Sequence, residues 1–189
     1  MDTPDTSDPE AAINRRHAMA GLVTAMIPVT LSIAAPAAEA EAVSVPANTE
    51  DALLMRQALA LAAEADFPFG AVIARDGKIL ARGLNLGKRT HDPTAHGEMV
   101  AIRRFLAEHG PGPLKGTVLY TSGEPCPMCM GAIVWCGIKR VVYAASIAEI
   151  AAHLGQIGIS CTEIAQKTPF ETIEITGGVL AADALKLIR

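Results

Sequence analysis

The sequence predicts an α/β fold: three layers, with a mixed five-stranded sheet between helices on both faces. Three observations carry this. After residue 48, short runs rich in β-branched residues alternate with segments whose apolar residues recur at helical spacing. Asp76-Gly77 separates the first two runs, the signal for a tight antiparallel hairpin. Half of the 189 residues are hydrophobic but only 4% are aromatic, enough for one core filled by Ala, Val, Ile and Leu.

Each element follows in order. NTEDALLMRQALALAAEA (48–65) forms a first helix, capped by Thr49 or Asn48. FGAVIAR (69–75) and KILARGLN (78–85) are the hairpin strands. PTAHGEMVAIRRFLAEHG (93–110) is a second helix, stopped by Gly110. GTVLYTS (116–122) is a buried strand, and PMCMGAIVWCG (127–137) is a short helix opened by Pro127 and closed by Gly137. RVVYAAS (140–146) is the next strand, and residues 147–168 read as a helix and a loop. ETIEIT (171–176) alternates as an exposed strand, and AADALKLI (181–188) closes the chain as a helix. Single helices between strands imply parallel crossovers; only the first pair is antiparallel.

Residues 1–40 differ from the rest. Arg15 and Arg16 precede an uncharged stretch from Ala18 to Ala38, and APA (35–37) and AEA (38–40) suit a small-residue cleavage site. This order reads as an export signal, with the paired arginines pointing to the twin-arginine route and the protein to an exported, periplasmic location. An uncleaved anchor, or a cytoplasmic protein with a spurious tail, are the alternatives. Pro28, Pro36 and the many small residues make a stable membrane span in the mature form the weaker reading. Residues 41–48 read as a linker, and 49–189 as one folded domain. Without residues 1–40 the chain carries 14 basic and 15 acidic residues, so nothing marks it as a nucleic-acid binder. Arg103–Arg104 and Lys139–Arg140 read as isolated, solvated pairs.

The chemistry lies in TAHGEMV (94–100) and EPCPMC (124–129). Cys126 and Cys129 alone fit a redox pair, a disulfide loop or half of a metal site. His96 adds a third ligand type, and both motifs stand at helix starts that follow strands. Residues three apart share a helix face, so both thiols can bind one ion, and a helix N-terminus favours thiolate. His96, Cys126 and Cys129 make three protein ligands for Zn2+ and leave a position for water, as catalytic rather than structural sites do. Glu98 stands two residues past His96, placed to take a proton from that water. This is the H-x-E…P-C-x-x-C signature of zinc nucleobase deaminases.

The region 49–146 therefore resembles the cytidine deaminase-like superfamily, and so implies that fold and makes 49–189 a deaminase domain. PFGAVIARDG (68–77), DPTAHGE (92–98) and TSGEPCPMCMGAIVW (121–135) are most similar to bacterial guanine deaminases. DPTAHGE and EPCPMC also resemble tRNA adenosine deaminases. The resemblance implies that Asn85 hydrogen-bonds the base, that the Gly97 N–H contacts substrate, and that Phe69 and Trp135 are aromatic pocket positions. Glu124 reads as support for its loop. SIAEIAAHLGQIGI (146–159) lacks the acidic pair that guanine deaminases carry after the last strand. Cys136 and Cys161 read as small buried residues, and His91, His109 and His153 as surface or loop histidines.

The reading that follows is hydrolytic, zinc-dependent deamination of a small-molecule base or nucleoside, guanine or cytosine leading, by a homodimer. The alternatives are a tRNA adenosine deaminase and a non-catalytic zinc or redox module.

Overall fold

The computed structural model describes residues 43–188, so the export-signal reading of 1–40 lies outside the described residues. In chain order the elements are β1 (Val43–Ser44), α1 (Thr49–Ala63), β2 (Gly70–Arg75), β3 (Lys78–Leu84), α2 (Gly97–His109), β4 (Val118–Gly123), α3 (Pro127–Trp135), β5 (Arg140–Ala145), α4 (Ile147–Ala151), α5 (Cys161–Gln166), β6 (Glu174–Thr176) and α6 (Ala181–Leu187). One sheet runs β1-β6-β5-β4-β2-β3. Its β1, β6, β5 and β4 are parallel, and β2 is antiparallel to both β4 and β3. No described helix is long and apolar enough to cross a membrane.

The period-2 alternation of the strands builds the three layers. Val72, Ala74, Tyr120 and Val142 face Leu54, Met55 and Ala58 of α1 and Ala184 of α6. Their neighbours Ala71, Ile73, Leu119 and Val141 face Ala101, Ile102 and Phe105 of α2, Met130 and Ile133 of α3, and Cys161 and Ala165 of α5. At the hairpin, Asp76 and Gly77 both take positive φ, 49° and 71°, which is the backbone of a type I′ turn.

Three expectations are corrected. The sheet has six strands, because Val43 and Ser44 of the expected linker pair with Glu174 and Ile175. Two residues are too short to show alternation, and it is the ladder of β6 that recruits them. The linker also ends in structure: Asn48, not Thr49, caps α1, in a reciprocal capping box with Asp51. Second, the ETIEIT strand is shorter than expected and lies inside the sheet, between β1 and β5, with Ile175 and Thr176 buried. Third, Arg140 is not solvated. It is 9% exposed and grips the fully buried Asp51 with two hydrogen bonds, 2.9 and 2.8 Å, while donating to Thr176 Oγ1 at 2.8 Å. Thr176 Oγ1 in turn donates to Val45 O, and Tyr120 donates to Asp51, so one network joins α1 to β4, β5, β6 and the residue after β1.

Since β3 and β4 are each antiparallel to β2, they run the same way and end at one edge of the sheet. There they lead into α2 and α3. Gly83 allows α2 to lie almost on β3, since a Cβ on it would fall 2.1 Å from Gly97 O and 2.4 Å from Ala101 N.

Candidate metal centre

His96 and Cys126 are the N-cap residues of α2 and α3, both with extended backbone (φ −66°, ψ 157° and φ −64°, ψ 167°). Neither side chain caps its own helix. Each carbonyl accepts the first helical bond, from Val100 and Met130 respectively, and the side chains are left free to meet. Pro127 at N1 presets the start of α3. Cys129 sits one turn on, fully buried.

The ligand atoms of His96, Cys126 and Cys129 lie within 4.8 Å of one another. His96 Nδ1 is 3.7 Å from Cys126 Sγ and 3.6 Å from Cys129 Sγ. A tetrahedral zinc with its usual bonds separates nitrogen and sulfur by roughly 3.5 Å, so the donors fit that ion. Two helix N-termini converge here, and their partial positive charges favour anionic ligands. The neighbouring Cys129 thiol, with His96 beside it, holds the Cys126 thiol down at about 4. The same contact and burial push Cys129 up, and the hydrogen bond with Cys126 raises His96. Glu98, in the first turn of α2, is buried, and desolvation raises its carboxyl above the usual range. All four cysteines are free thiols, and among the described residues no other cluster of His, Cys, Asp or Glu could hold a metal.

Residues 48–145, just over half of the chain, match the cytidine and deoxycytidylate deaminase zinc-binding region. The chain belongs to this family. It is a zinc-binding family, and His96, Cys126 and Cys129 are the group here that could hold the ion. A guanine deaminase of Bacillus subtilis is 51% identical over 84 residues, which cover 44% of this chain and 54% of that protein. The chain thus spans about half the length of that relative. A tRNA-specific adenosine deaminase of Haemophilus influenzae is 38% identical over 138 residues, 70% of this chain and 78% of that protein. A solved structure from work on tRNA:A34 deaminases superposes with a TM-score of 0.62 at 29% identity, covering 71% of this chain and 98% of that one.

The fold brings three of the four expected substrate contacts to this centre. Asn85 is buried at the end of β3. Its N–H donates to Phe69 O at 2.9 Å, and its Oδ1 accepts from Gly87 N at 3.0 Å. The turn role is therefore real for Oδ1, and it leaves Nδ2 as the donor. Gly97 is N1 of α2, where the helix has no use for the N–H. A Cβ there would lie 3.0 Å from Phe69 O, so Phe69, Asn85 and Gly97 adjoin. Trp135 is placed elsewhere. It ends α3, six residues beyond Cys129 and roughly 9 Å further along the axis. There it is 78% exposed and packs on Phe170, ring centroids 4.9 Å apart.

Glu124 supports its loop, as expected, but by contacts the sequence does not announce. Its two oxygens accept from Ile147 N and Cys161 N, at 2.8 and 2.9 Å, the first residues of α4 and α5. Residues 147–168 thus hold two short helices with a loop between, tied to the start of α3. The sequence signal for them was modest: Ser146 and Ser160, each the N-cap of its helix.

Proposed function

We propose that this chain catalyses hydrolytic deamination of a nucleobase or nucleoside, with guanine and cytosine the leading substrates, releasing ammonia. The observation that carries the reading is the buried Glu98 two residues from His96, at a centre with three protein ligands. A purely structural zinc site would close with a fourth ligand and has no use for a buried carboxylate beside it.

Bound zinc supplies Lewis acidity that brings the pKa of a water towards neutrality. Glu98 would take one proton from a water whose oxygen adds to the amino-bearing ring carbon, and would pass it to the ring nitrogen; its buried position favours the protonated form that hands the proton on. The second proton, from the added hydroxyl, would go through Glu98 to the amino group as the C–N bond breaks and ammonia leaves. Asn85 Nδ2 and the Gly97 N–H donate to acceptors on the base and fix which ring carbon is presented. The ring of Phe69 covers one side of the base. Measuring ammonia release from a panel of bases and nucleosides tests the reading; a zinc-loaded protein inert on all of them overturns it.

A second reading, deamination of adenosine in tRNA, is favoured by the long match to the Haemophilus relative. The near-neutral body weighs against it. Turnover of a tRNA anticodon stem–loop with none of free bases would decide for it.

The homodimer is part of the proposal. Trp135 and Phe170 stand exposed beside a cleft of about 910 Å³ lined by Leu106, Val134 and Ile173. An aromatic pair of this kind on a surface suits a protein interface. A monomer in light scattering at micromolar concentration would rule against it. Export is proposed from residues 1–40, with cleavage at APA (35–37) or AEA (38–40), either of which leaves β1 in the mature chain. Arg15→Lys with Arg16→Lys should then leave active protein inside the cell.

A further inference from the structure

The reaction proposed above does not use Glu124, yet this buried carboxylate makes two contacts of long reach. By accepting from Ile147 N and Cys161 N it pins the first residue of α4 and the first residue of α5, the two ends of the segment 147–161, while its own N–H donates to Ala145 O at 2.7 Å. Hydrogen bonds to a carboxylate are stronger than neutral ones, so this anchor is not casual. It fixes α4, and α4 carries Ile150. A Cβ on Gly123 would lie 3.0 Å from Ile150 Cδ1 and 3.0 Å from Phe69 Cε1. Ile150 and Phe69 therefore close over Gly123, three residues before Cys126. The three donors stand at the N-caps and first turn of α2 and α3, and both Glu124 oxygens are taken up by Ile147 N and Cys161 N rather than by any of them.

We propose that Glu124 is a positioning residue that sets substrate affinity: through α4 it holds the buried Ile150 behind the partly buried Phe69, whose ring is the side of the base pocket, without a part in holding zinc. The proposal rests on the functional reading above. It also gives the segment after β5 a role, although that segment carries no acidic pair.

The test is Glu124→Gln in the full chain. Glutamine offers one acceptor oxygen and sets an N–H donor against the other amide. The expected result is full zinc content and amide hydrogen exchange at Ile147 or Cys161 faster by about tenfold or more. KM for guanine or cytosine should rise by about tenfold with kcat changed less than about threefold, because uniform binding is lost rather than transition-state contacts. Ile150→Val removes Cδ1 and leaves Glu124 in place. It should raise KM in the same direction while exchange at Cys161 stays as in the wild type. Unchanged exchange at both amides, loss of zinc, or a fall in kcat at constant KM overturns the proposal. Zinc-loaded wild type that turns over neither base overturns the functional reading instead. The exchange measurement still decides the anchor, so the two failures are told apart.

Discussion

Cys126 and His96 meet as the N-caps of two different helices, Sγ and Nδ1 3.7 Å apart, and neither side chain caps the helix it begins. An N-cap side chain normally satisfies an orphan amide. Here both are turned outward to a common point. The helix starts are aimed at each other, and an ion with anionic ligands is what balances their dipoles.

Zinc removal should therefore cost stability as well as activity. Elemental analysis is expected to find one zinc per chain in the wild type and none in Cys129→Ala. A ligand present at a thousandfold excess over its Kd stabilises by about 4 kcal/mol, so chelation should lower Tm by several degrees. A Tm indifferent to chelator would show that the centre does not couple to the fold.

Glu98→Gln should keep zinc, because Glu98 is not among the three ligands. It should lose activity by ~100- to 10,000-fold, the usual contribution of a general acid–base group. Near-normal turnover with full zinc would assign the proton transfer to another residue.

Gly83→Ala places a methyl 2.1 Å from Gly97 O and 2.4 Å from Ala101 N, both backbone. Neither can give without moving α2, whose N-cap is His96. A loss of about 3 kcal/mol in denaturant unfolding is expected, with zinc content falling alongside. Gly112→Ala, with nothing within 4 Å of its Cβ, is the control and should stay within about 0.5 kcal/mol.

Asp51→Ala leaves the Arg140 guanidinium buried without its partner and should cost about 3–5 kcal/mol. Arg140→Met strands the carboxylate and should cost a similar amount. The double variant should be less destabilised than the sum of the two, since neither charge then remains buried alone. Simple additivity in the double-mutant cycle would mean that the pair does not act as a unit.

Much of the candidate site is legible in one dimension because its ligands are set by local geometry. His-x-Glu and Pro-Cys-x-x-Cys each fit within one turn at a helix start, and turn-scale spacing is what a sequence displays. The hairpin is legible for the same reason: Asp76 and Gly77 accept positive φ at low cost. Trp135 shows the limit. Its motif is contiguous with the ligands, but nine residues of helix carry it away from Cys126, and motif membership says nothing of distance along an axis.

The sequence by itself determined the alternation of elements, the hairpin, and the candidate metal donors His96, Cys126 and Cys129 with Glu98 close by, all from patterns shorter than a helix. Only the tertiary structure decided what depends on partners far along the chain. Val43 and Ser44 become a strand because β6 offers them a ladder. Arg140 is buried because Asp51, 89 residues away, neutralises it. Glu124 joins two helices that begin 23 and 37 residues later. Such contacts carry no local signature: a charged side chain in a sequence looks the same whether water or a buried partner satisfies it, and only the folded chain brings the partner within 3 Å.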